Sequence, residues 1–305
     1  MHQTIEHKKY VWHVFDASDD TTVPFLQKEF DFHELDYEDI EGGTQQPKTD
    51  FYKDYLFMVL HFPDYDQEEK RIHVFEMDVF LGKDYLVTIA KGKNKRLETL
   101  FEKLSNEEAA RMEYMEDGPA FLLYEIVDML TEACWPVVRK MSQQISDIEE
   151  DIYSEDMRKR TVWNIALVKR NLIRLKRIIS PQLVVVMTLV KSDNPYLKKE
   201  LSVYFDDIND TLMRIQSITE SHIDVMNSLH NVSESLISQR TNEVIKVLTI
   251  FSVGLLPLTL LSGIYGMNIE GLPYAHTPAI VWAIFGGIFA LILITIIFFR
   301  RKGSL

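Results

Sequence analysis

Two long runs of uncharged, apolar residues close the chain and constrain its fold more than any other feature. The first extends from Val247 to Tyr265 and the second from Ile280 to Phe299, and neither contains a charged side chain. A helix needs about 20 apolar residues to cross the roughly 30 Å hydrocarbon core of a bilayer. Uncharged stretches this long are rare in the cores of soluble proteins. The sequence therefore predicts two transmembrane helices at the C-terminus.

Basic residues next to these runs indicate how the chain crosses the membrane. Lys246 precedes the first run, and the tail after the second, 300–305, begins with two arginines and a lysine. Loops rich in lysine and arginine stay in the cytosol, so loop 266–279 is predicted to lie outside. Residues 1–10 are polar and contain no apolar segment of a signal peptide. We expect a multi-pass protein of the cell (inner) membrane with cytosolic N- and C-termini.

Composition limits the partners of the remaining chain. The 305 residues suffice for two domains, and their formal net charge is −13. Binding of nucleic acid requires a basic surface, so nucleic acid is excluded as a partner, whereas an acidic body attracts cations. The single cysteine, Cys134, forms no internal disulfide and no cysteine-based zinc site.

The region 1–94 is predicted to be a cytosolic α/β domain. Residues with high β propensity occur in four runs that are bounded by turn formers such as Pro63-Asp64 and Gly82-Lys83-Asp84. The last two runs are expected to form a hairpin around Gly82. The four runs are Tyr10–Phe15, Tyr55–Phe62, Arg71–Leu81 and Tyr85–Ala90.

The next region, 95–194, is predicted to be helical. Ser105–Glu108 has the form of a capping box, and Asp117–Pro119 marks another helix start because proline suits the first turn. The second helix is expected to reach Tyr153 with an acidic second half. This half is predicted to pair antiparallel with a basic helix, Thr161–Ser192, and acidic runs of this kind are also typical of a solvated face.

A single long helix is predicted over 195–265. No helix breaker occurs between Pro195 and Gly254, and Pro257 lies inside an apolar span, where proline is tolerated. At 1.5 Å per residue this helix is roughly 100 Å long. With 266–279 as a loop, 280–299 as a second span and 300–305 as a tail, the predicted fold is an α+β cytosolic domain followed by long helices and two C-terminal transmembrane helices.

The turn between the two spans offers ligands for a cation. Gly266-Met267-Asn268 follows the first span directly. Asparagine supplies an amide oxygen and glycine supplies bare backbone carbonyls. Hard, hydrated cations prefer oxygen ligands and give up their water reluctantly. The turn therefore indicates a subunit of a divalent-cation channel.

A stripe of polar and apolar residues along the first span indicates which face lines such a channel. Its members recur at spacings of three and four, and we call this set the stripe: Asn242, Ile245, Leu248, Ser252, Leu256, Thr259 and Gly263. Two spans in one chain cannot enclose a pore, so several copies must assemble around it. Polar positions suit a hydrated ion, and leucines suit an apolar gate that works by dewetting. Ordinary helix packing explains the same stripe equally well.

These residues together resemble the CorA magnesium transporter family. The resemblance rests on Tyr265-Gly266-Met267-Asn268, on the two C-terminal spans, on the basic tail and on the very long helix. Thr241–Ile250 is similar to the pore-helix entry of that family, as is Pro257-Leu258-Thr259 further along. The resemblance covers nearly the whole chain, and its most specific part is the motif between the spans.

The resemblance implies a funnel-shaped homopentameric channel whose long helix lines the pore and contacts membrane lipid on its outside. The turn at Gly266 is implied to form an outer ring that binds hydrated Mg²⁺, with Asn268 as the main selectivity residue. Thr259 and Asn242 are implied to form inner polar rings. Leu248 and Leu256 take the hydrophobic gate positions.

The resemblance also implies regulation by cytosolic Mg²⁺ bound between neighbouring subunits. One carboxylate belongs to a segment of the form L-x-x-E-D-I, here Leu35–Ile40, and is Asp39. The other follows a Tyr-Phe pair in Tyr204–Asp207 and is Asp207. Carboxylates that face each other across an interface repel unless a cation lies between them. Loss of Mg²⁺ is therefore expected to separate the subunits and open the pore.

Passive uptake of Mg²⁺ is the leading interpretation, with Mg²⁺ as transported and regulatory ion and no organic cofactor. Transport of Zn²⁺, Co²⁺ or Ni²⁺ by a member of the same superfamily is the first alternative. Zinc favours nitrogen and sulfur ligands, which the stripe lacks. A non-conducting, membrane-anchored scaffold or sensor is an alternative of another class. An enzyme is not expected, because His13, His33, His61 and His73 form no recognisable nucleophile or metal motif.

Overall fold

The structure is a computed structural model of the chain, and it divides into two compact units. The first unit reaches His230, and the second begins at Asn231. The structure describes residues 2–154, 159–192, 194–197, 199–267, 273–274 and 277–301. Asn268, predicted as the main selectivity residue, lies outside the described residues.

A six-stranded sheet forms the centre of the first unit. The strands follow the order β1-β2-β6-β5-β4-β3 across the sheet. Strands β2 and β6 run parallel, and the other neighbouring pairs run antiparallel. The strands are β1 (Gln3–His7), β2 (Tyr10–Asp16), β3 (Lys48–Phe51), β4 (Tyr55–Asp66), β5 (Arg71–Gly82) and β6 (Tyr85–Lys91).

All four predicted strands are present, as β2, β4, β5 and β6, and the predicted hairpin around Gly82 joins β5 to β6. The turn predicted at Pro63-Asp64 is wrong. Pro63 pairs with Val74 inside the β4–β5 ladder, and the chain reverses after Asp66. The turn residues there follow Asp66, whose carboxylate accepts hydrogen bonds from the backbone N–H groups of Glu68 and Glu69 at 2.7 and 2.9 Å.

The central strands are covered on both faces. Nine consecutive residues from Tyr55 to Pro63 are buried in β4, as are eight from Phe75 to Gly82 in β5. A strand that is covered on both faces reads as a continuous apolar run instead of an alternating one. One face packs on an aromatic cluster around Phe80, which includes Phe32 and Phe57 at ring distances of 4.0 and 4.7 Å. Helices α5, α6 and α7 contact the sheet as well.

Nine helices accompany the strands within the described residues, and α1 and α2 were not among the predicted elements. Both are eight residues long, too short for a helical period to stand out. The helices are α1 (Thr22–Glu29), α2 (Glu34–Glu41), α3 (Lys95–Asn106), α4 (Glu108–Met115), α5 (Pro119–Glu132), α6 (Cys134–Tyr153), α7 (Lys159–Lys191), α8 (Lys199–Tyr265) and α9 (Pro278–Arg301).

Local chemistry sets the helix boundaries, and the predicted capping box is wrong. Ser105 lies in the last turn of α3, and α4 starts after Glu107 without a side-chain cap. The start at Gly118 is confirmed, with φ of 101° at the glycine and proline in the first turn. The helix expected to continue to Tyr153 is interrupted at Ala133. Pro136 explains the break, because it lacks the N–H that the carbonyl of Glu132 would accept.

The acidic and basic helices pack against one another, as α6 and α7. The basic cluster also reaches α8, where Lys176 forms an ion pair with Glu220 at 2.9 Å. Helix α8 has 67 residues and ends at Tyr265, and Pro257 lies within it.

The second unit consists of the end of α8 and of α9, and it exposes its apolar side chains. Both helices are long and apolar enough to cross a membrane, and none of the residues in their apolar windows is buried. Large side chains such as Leu248, Phe251 and Phe289 are more than half exposed. Because the apolar surface is not covered by other parts of the unit, these helices are not core helices of a soluble domain.

Candidate functional site

The stripe lies on one exposed face of α8. All of its seven residues are exposed, and helical geometry at about 100° per residue places them within about a third of the helix circumference. Leu248 and Leu256, the predicted gate positions, are 64% and 65% exposed. The structure thus brings the predicted residues onto a single surface, which is free to contact water, lipid or another copy.

Hydroxyl groups on the stripe are oriented by their own helix. Ser252 donates its hydroxyl hydrogen to the carbonyl of Leu248, and Thr259 donates to that of Leu255, both at 2.9 Å. A hydroxyl that donates in this way keeps its two lone pairs as acceptors. Those lone pairs remain free to accept hydrogen bonds from water. Acceptors suit the shell of a hydrated cation, whose water molecules point their hydrogens away from the ion.

The second helix covers a different face of α8. Gly254 approaches α9 closely, since a Cβ atom there would lie 3.4 Å from Ile292. A groove next to this contact is lined from α8 by Thr249, Val253 and Pro257, among others, and from α9 by Leu291 and its neighbours. The centre of this groove lies about a third of a turn from the centre of the stripe, and Thr249 lies between the two centres. Helix α9 therefore leaves the stripe uncovered in the described part of the unit.

A tight backbone turn ends α8 at the predicted filter. The N–H of Gly266 bonds to the carbonyl of Ser262 at 2.9 Å, and the N–H of Met267 bonds to that of Ile264 at 3.3 Å. A Cβ atom on Gly266 would lie 2.8 Å from the oxygen of Ser262, which real Cβ atoms do not tolerate. Only glycine therefore fits this turn without moving the backbone. Met267 is about half exposed beyond it.

The first predicted regulatory carboxylate, Asp39, is held by two lysines of its own chain. Its Oδ2 lies 2.6 Å from Nζ of Lys48 on strand β3. Its backbone carbonyl accepts a hydrogen bond of 2.9 Å from Nζ of Lys91 on β6. The side chain of Asp39 is 19% exposed, so the carboxylate is accessible from one side. The structure thus places Asp39 at the surface, but with a cation already beside it.

The second predicted regulatory carboxylate, Asp207, is exposed on α8 beside other acids. Burial raises the pKa of Asp128 on α5, and the negative charges of Glu132 and Asp207 raise that pKa further. Burial also raises the pKa of Glu125, and the charge of Asp128 adds to the effect. A cation close to such carboxylates would relieve their repulsion. Carboxylate oxygens are the kind of ligand that a hard divalent cation such as Mg²⁺ prefers.

Sequence reasoning missed Glu125 and Asp128. They are three residues apart on α5 and so share one face of that helix. Tyr124 packs on Tyr204 and Phe205 of α8, at ring distances of 5.0 and 6.1 Å, and this contact brings the acids next to Asp207. The spacing of the two acids was the available signal, and it gains meaning only once α5 is known to pack on α8.

The four histidines discussed above have separate surroundings. Nε2 of His61 lies 3.2 Å from the buried carboxylate of Glu76. His73 lies with Asp66 and Glu69 on the β4–β5 turn, where one ligand atom of each residue falls within 4.8 Å of the others. Asp66 already caps this exposed turn through its backbone hydrogen bonds. The arrangement is accounted for by the turn itself.

Comparisons with known proteins agree with this architecture. Residues 7–301 match the family described as CorA-like Mg2+ transporter protein. The cobalt/magnesium transport protein CorA of Thermotoga maritima is 30% identical over 276 residues, which are 90% of this chain and 77% of the relative. The zinc transport protein ZntB of Yersinia enterocolitica is 27% identical over 151 residues, which are 50% of this chain and 46% of the relative.

A solved structure shows that the fold extends over the whole chain. The CorA magnesium transporter from Methanocaldococcus jannaschii matches with a TM-score of 0.80 and covers 99% of this chain and 93% of its own. The two sequences are 19% identical in this match. The comparison therefore establishes a shared fold for the α/β unit, the long helix and the two apolar helices.

Proposed function

We propose that this chain admits Mg²⁺ passively. The chain belongs to the CorA-like Mg²⁺ transporter family and is therefore a membrane-embedded divalent-cation transporter and not an enzyme. The observation that carries the proposal is the exposed stripe on α8. It leads to a glycine turn with oxygen ligands at one end of a span. A hydrated cation meets hydroxyl lone pairs along this path and no fixed charge within the spans.

The membrane potential supplies the driving force in this proposal. Neither apolar span contains a charged side chain that could relay protons. An inside-negative potential is worth about 2.3 kcal/mol per charge per 100 mV, which is about 4.6 kcal/mol for a divalent ion. This energy favours entry of Mg²⁺ without a second coupled ion.

Assembly of five copies in the cell membrane belongs to the same proposal. One chain has two spans and cannot enclose a path, and its stripe is left uncovered by α9. Copies arranged with their stripes inward would line a pore, and the outward apolar faces would contact lipid. Leu248 and Leu256 would form the narrow apolar gate, with Asn242 and Thr259 as polar rings. Both termini are proposed to be cytosolic.

Closure by cytosolic Mg²⁺ is proposed to depend on Asp39 and Asp207. Both are accessible carboxylates of the first unit, and the negative charge of Asp207 adds to the raised pKa of Asp128. A Mg²⁺ ion between one subunit's Asp39 and its neighbour's Asp207 would relieve repulsion and hold the subunits together. Loss of this ion at low cytosolic Mg²⁺ would open the pore.

Another divalent ion is the second candidate, and the similarity to a zinc transport protein supports it. The stripe contains oxygen donors and no histidine or cysteine. Oxygen donors favour Mg²⁺, whereas zinc prefers nitrogen and sulfur. We therefore place Mg²⁺ ahead of Zn²⁺, Co²⁺ and Ni²⁺ as the transported ion.

Flux into liposomes tests the proposal. The full-length protein is reconstituted into vesicles that contain a Mg²⁺-sensitive dye, and an inside-negative potential is applied. We expect Mg²⁺ influx that falls roughly tenfold or more in Asn268→Ala, because loss of about 1.4 kcal/mol of ion stabilisation changes a rate tenfold. Asn106→Ala, at the end of α3, serves as the matched control and should conduct normally.

The same vesicles separate the alternatives. Influx of Zn²⁺ or Co²⁺ with no influx of Mg²⁺ would reassign the transported ion. Equal Mg²⁺ influx in Asn268→Ala and wild type would contradict the proposed filter. Influx that persists without a membrane potential or a concentration gradient would contradict passive transport.

A further inference from the structure

The ammonium group of Lys48 is shared between two carboxylates. Its Nζ lies 2.6 Å from Asp39 Oδ2 and 2.7 Å from Asp50 Oδ2, and it also lies over the ring of Phe57, 5.3 Å from the centroid. Lys48 and Asp50 are two residues apart on β3 and so share one face of the strand. Burial opposes the charge of Lys48, but hydrogen bonds to both aspartates outweigh burial and raise its pKa. Lys48 is therefore a fixed cation at physiological pH.

A different lysine positions the backbone of Asp39. Nζ of Lys91 donates to the Asp39 carbonyl at 2.9 Å, and it also forms an ion pair with the buried carboxylate of Glu76 at 2.7 Å. The end of α2 is thus tied to the sheet independently of Lys48. Removal of the Lys48 charge is expected to free the Asp39 carboxylate while its backbone stays in place.

We propose that Lys48 is a tethered competitor of the regulatory cation at Asp39. An ammonium ion and Mg²⁺ both require the same carboxylate oxygen, and two cations within contact distance of each other repel. Mg²⁺ must therefore displace Lys48 from Oδ2 before it binds there. Lys48 in this way raises the Mg²⁺ concentration at which the site fills. This inference rests on the proposed regulatory role of Asp39.

Asp50 provides the place to which Lys48 moves. The ammonium group already contacts its carboxylate, so displacement from Asp39 leaves one ion pair intact. Without Asp50, Lys48 would have Asp39 as its remaining carboxylate partner and would compete more strongly. The geometry thus predicts opposite effects from two neighbouring substitutions, which a general loss of structure cannot produce.

Mg²⁺ binding to the full-length protein in detergent tests the inference. Binding is measured by calorimetry, and Mg²⁺-dependent protection from protease gives a second readout that is independent of ion flux. In Lys48→Met we expect half-maximal protection at about fivefold lower Mg²⁺, the effect of one partly exposed ion pair. In Asp50→Asn we expect a shift in the opposite direction. Lys48→Arg keeps the charge and should resemble wild type.

Matched variants make each outcome decisive. Lys28→Met removes an exposed lysine that pairs with Glu29 and should leave Mg²⁺ binding unchanged. Weaker or unchanged Mg²⁺ binding in Lys48→Met, in a variant whose thermal melting equals wild type, would overturn the inference. If Lys48→Met were unfolded, the opposite shift in Asp50→Asn would still decide it.

Asp39→Ala separates this inference from the proposed function. Loss of Mg²⁺-dependent protection in Asp39→Ala, together with no shift in Lys48→Met, would retain Asp39 as a ligand and reject competition. Normal protection in Asp39→Ala would reject the regulatory role of Asp39 itself. The Lys48→Met/Asp39→Ala double variant should behave like Asp39→Ala alone, because competition requires the carboxylate.

Discussion

The two units of this chain place their apolar and charged side chains in opposite environments. The first unit buries its apolar residues in its own core and pairs its buried charges, as in the contact of Lys91 with Glu76 at 2.7 Å. The second unit leaves its apolar residues exposed and has no charge in its spans. The first unit is therefore complete in water as one chain. The second is suited to an apolar solvent.

Hydrogen bonding follows the same division. In the first unit, polar side chains join distant parts of the chain, for example Gln182 of α7, which accepts the backbone N–H of His61 at 3.0 Å. In the second unit, the hydroxyls of Thr249, Ser252 and Thr259 return to carbonyls four residues earlier on the same helix. Polar groups in a membrane need hydrogen-bond partners within the protein, because lipid offers none.

The largest expected effect comes from truncating the same residue type in each unit. Phe80 is fully buried and stacks on Phe32 at 4.0 Å, whereas Phe289 is 53% exposed on α9. We expect Phe80→Ala to lower the free energy of unfolding of the first unit by about 3–5 kcal/mol, through lost burial and a cavity. Phe289→Ala should change it by less than about 0.5 kcal/mol. Pulse proteolysis in urea of the full-length protein in detergent measures both.

Two other outcomes of the Phe80→Ala and Phe289→Ala measurements would contradict the contrast between the units. Equal destabilisation by the two substitutions would mean that Phe289 is buried against another copy even in detergent. In that case cross-linking would detect fewer assembled copies in Phe289→Ala than in wild type. An unaffected Phe80→Ala variant would contradict the description of the sheet core.

The next effect concerns the buried carboxylate of Asp78, whose oxygens lie 3.4 Å or more from Lys91. Burial raises the pKa of Asp78 to about 7, Lys91 opposes this rise, and the charge of Glu76 adds to it. The folded state therefore binds a proton more tightly than the unfolded state, and stability falls as pH rises from about 4 to 7. Above pH 7, Asp78→Asn should exceed wild type in stability by about 2–4 kcal/mol.

Thermal melting between pH 4 and pH 8 measures this difference. The melting temperature of wild type should fall with rising pH, and the melting temperature of Asp78→Asn should change less. Asp64→Asn, an exposed carboxylate on β4, should keep the wild-type slope. Parallel curves for Asp78→Asn and wild type would show that another group titrates in this range.

Sequence reasoning predicted features that carry a strong local signal. The spans follow from uncharged runs, and β4 and β5 follow from long apolar segments. Helix α2 is short, and its place depends on contacts such as that of Tyr55 with Asp36 at 2.7 Å, which periodicity does not encode. The pairing of Lys48 with Asp39 likewise required the strand register, because Lys48 belongs to a strand of four residues that the sequence did not reveal. Residues that meet through tertiary packing are thus the part that sequence patterns miss.

The smallest expected effect distinguishes the stripe from the rest of the α8 surface. Thr259 belongs to the stripe, and its hydroxyl donates to the carbonyl of Leu255 at 2.9 Å, which leaves its lone pairs as acceptors. Thr259→Val keeps the shape and removes those acceptors, so in the proposed pore a hydrated ion would lose one hydrogen-bond partner from every copy. We expect Mg²⁺ influx into liposomes to fall roughly tenfold, equivalent to about 1.4 kcal/mol. Thr259→Ser retains the hydroxyl and should conduct nearly as wild type.

Thr249→Val is the matched control, because Thr249 has the same chemistry as Thr259 and lies about 80° away from it around the helix, at the edge of the stripe next to the groove. Thr249 also bonds to a carbonyl four residues earlier, at 2.8 Å to Ile245, but it lines the groove beside α9. Its replacement should reduce influx less than Thr259→Val does if the ion path follows the centre of the stripe. A larger loss in Thr249→Val than in Thr259→Val would place the ion path along the groove and the helix contacts along the stripe. The two threonines share a helix and a hydrogen-bonding pattern, and they differ in direction by about 80° and in depth by about 15 Å along the helix.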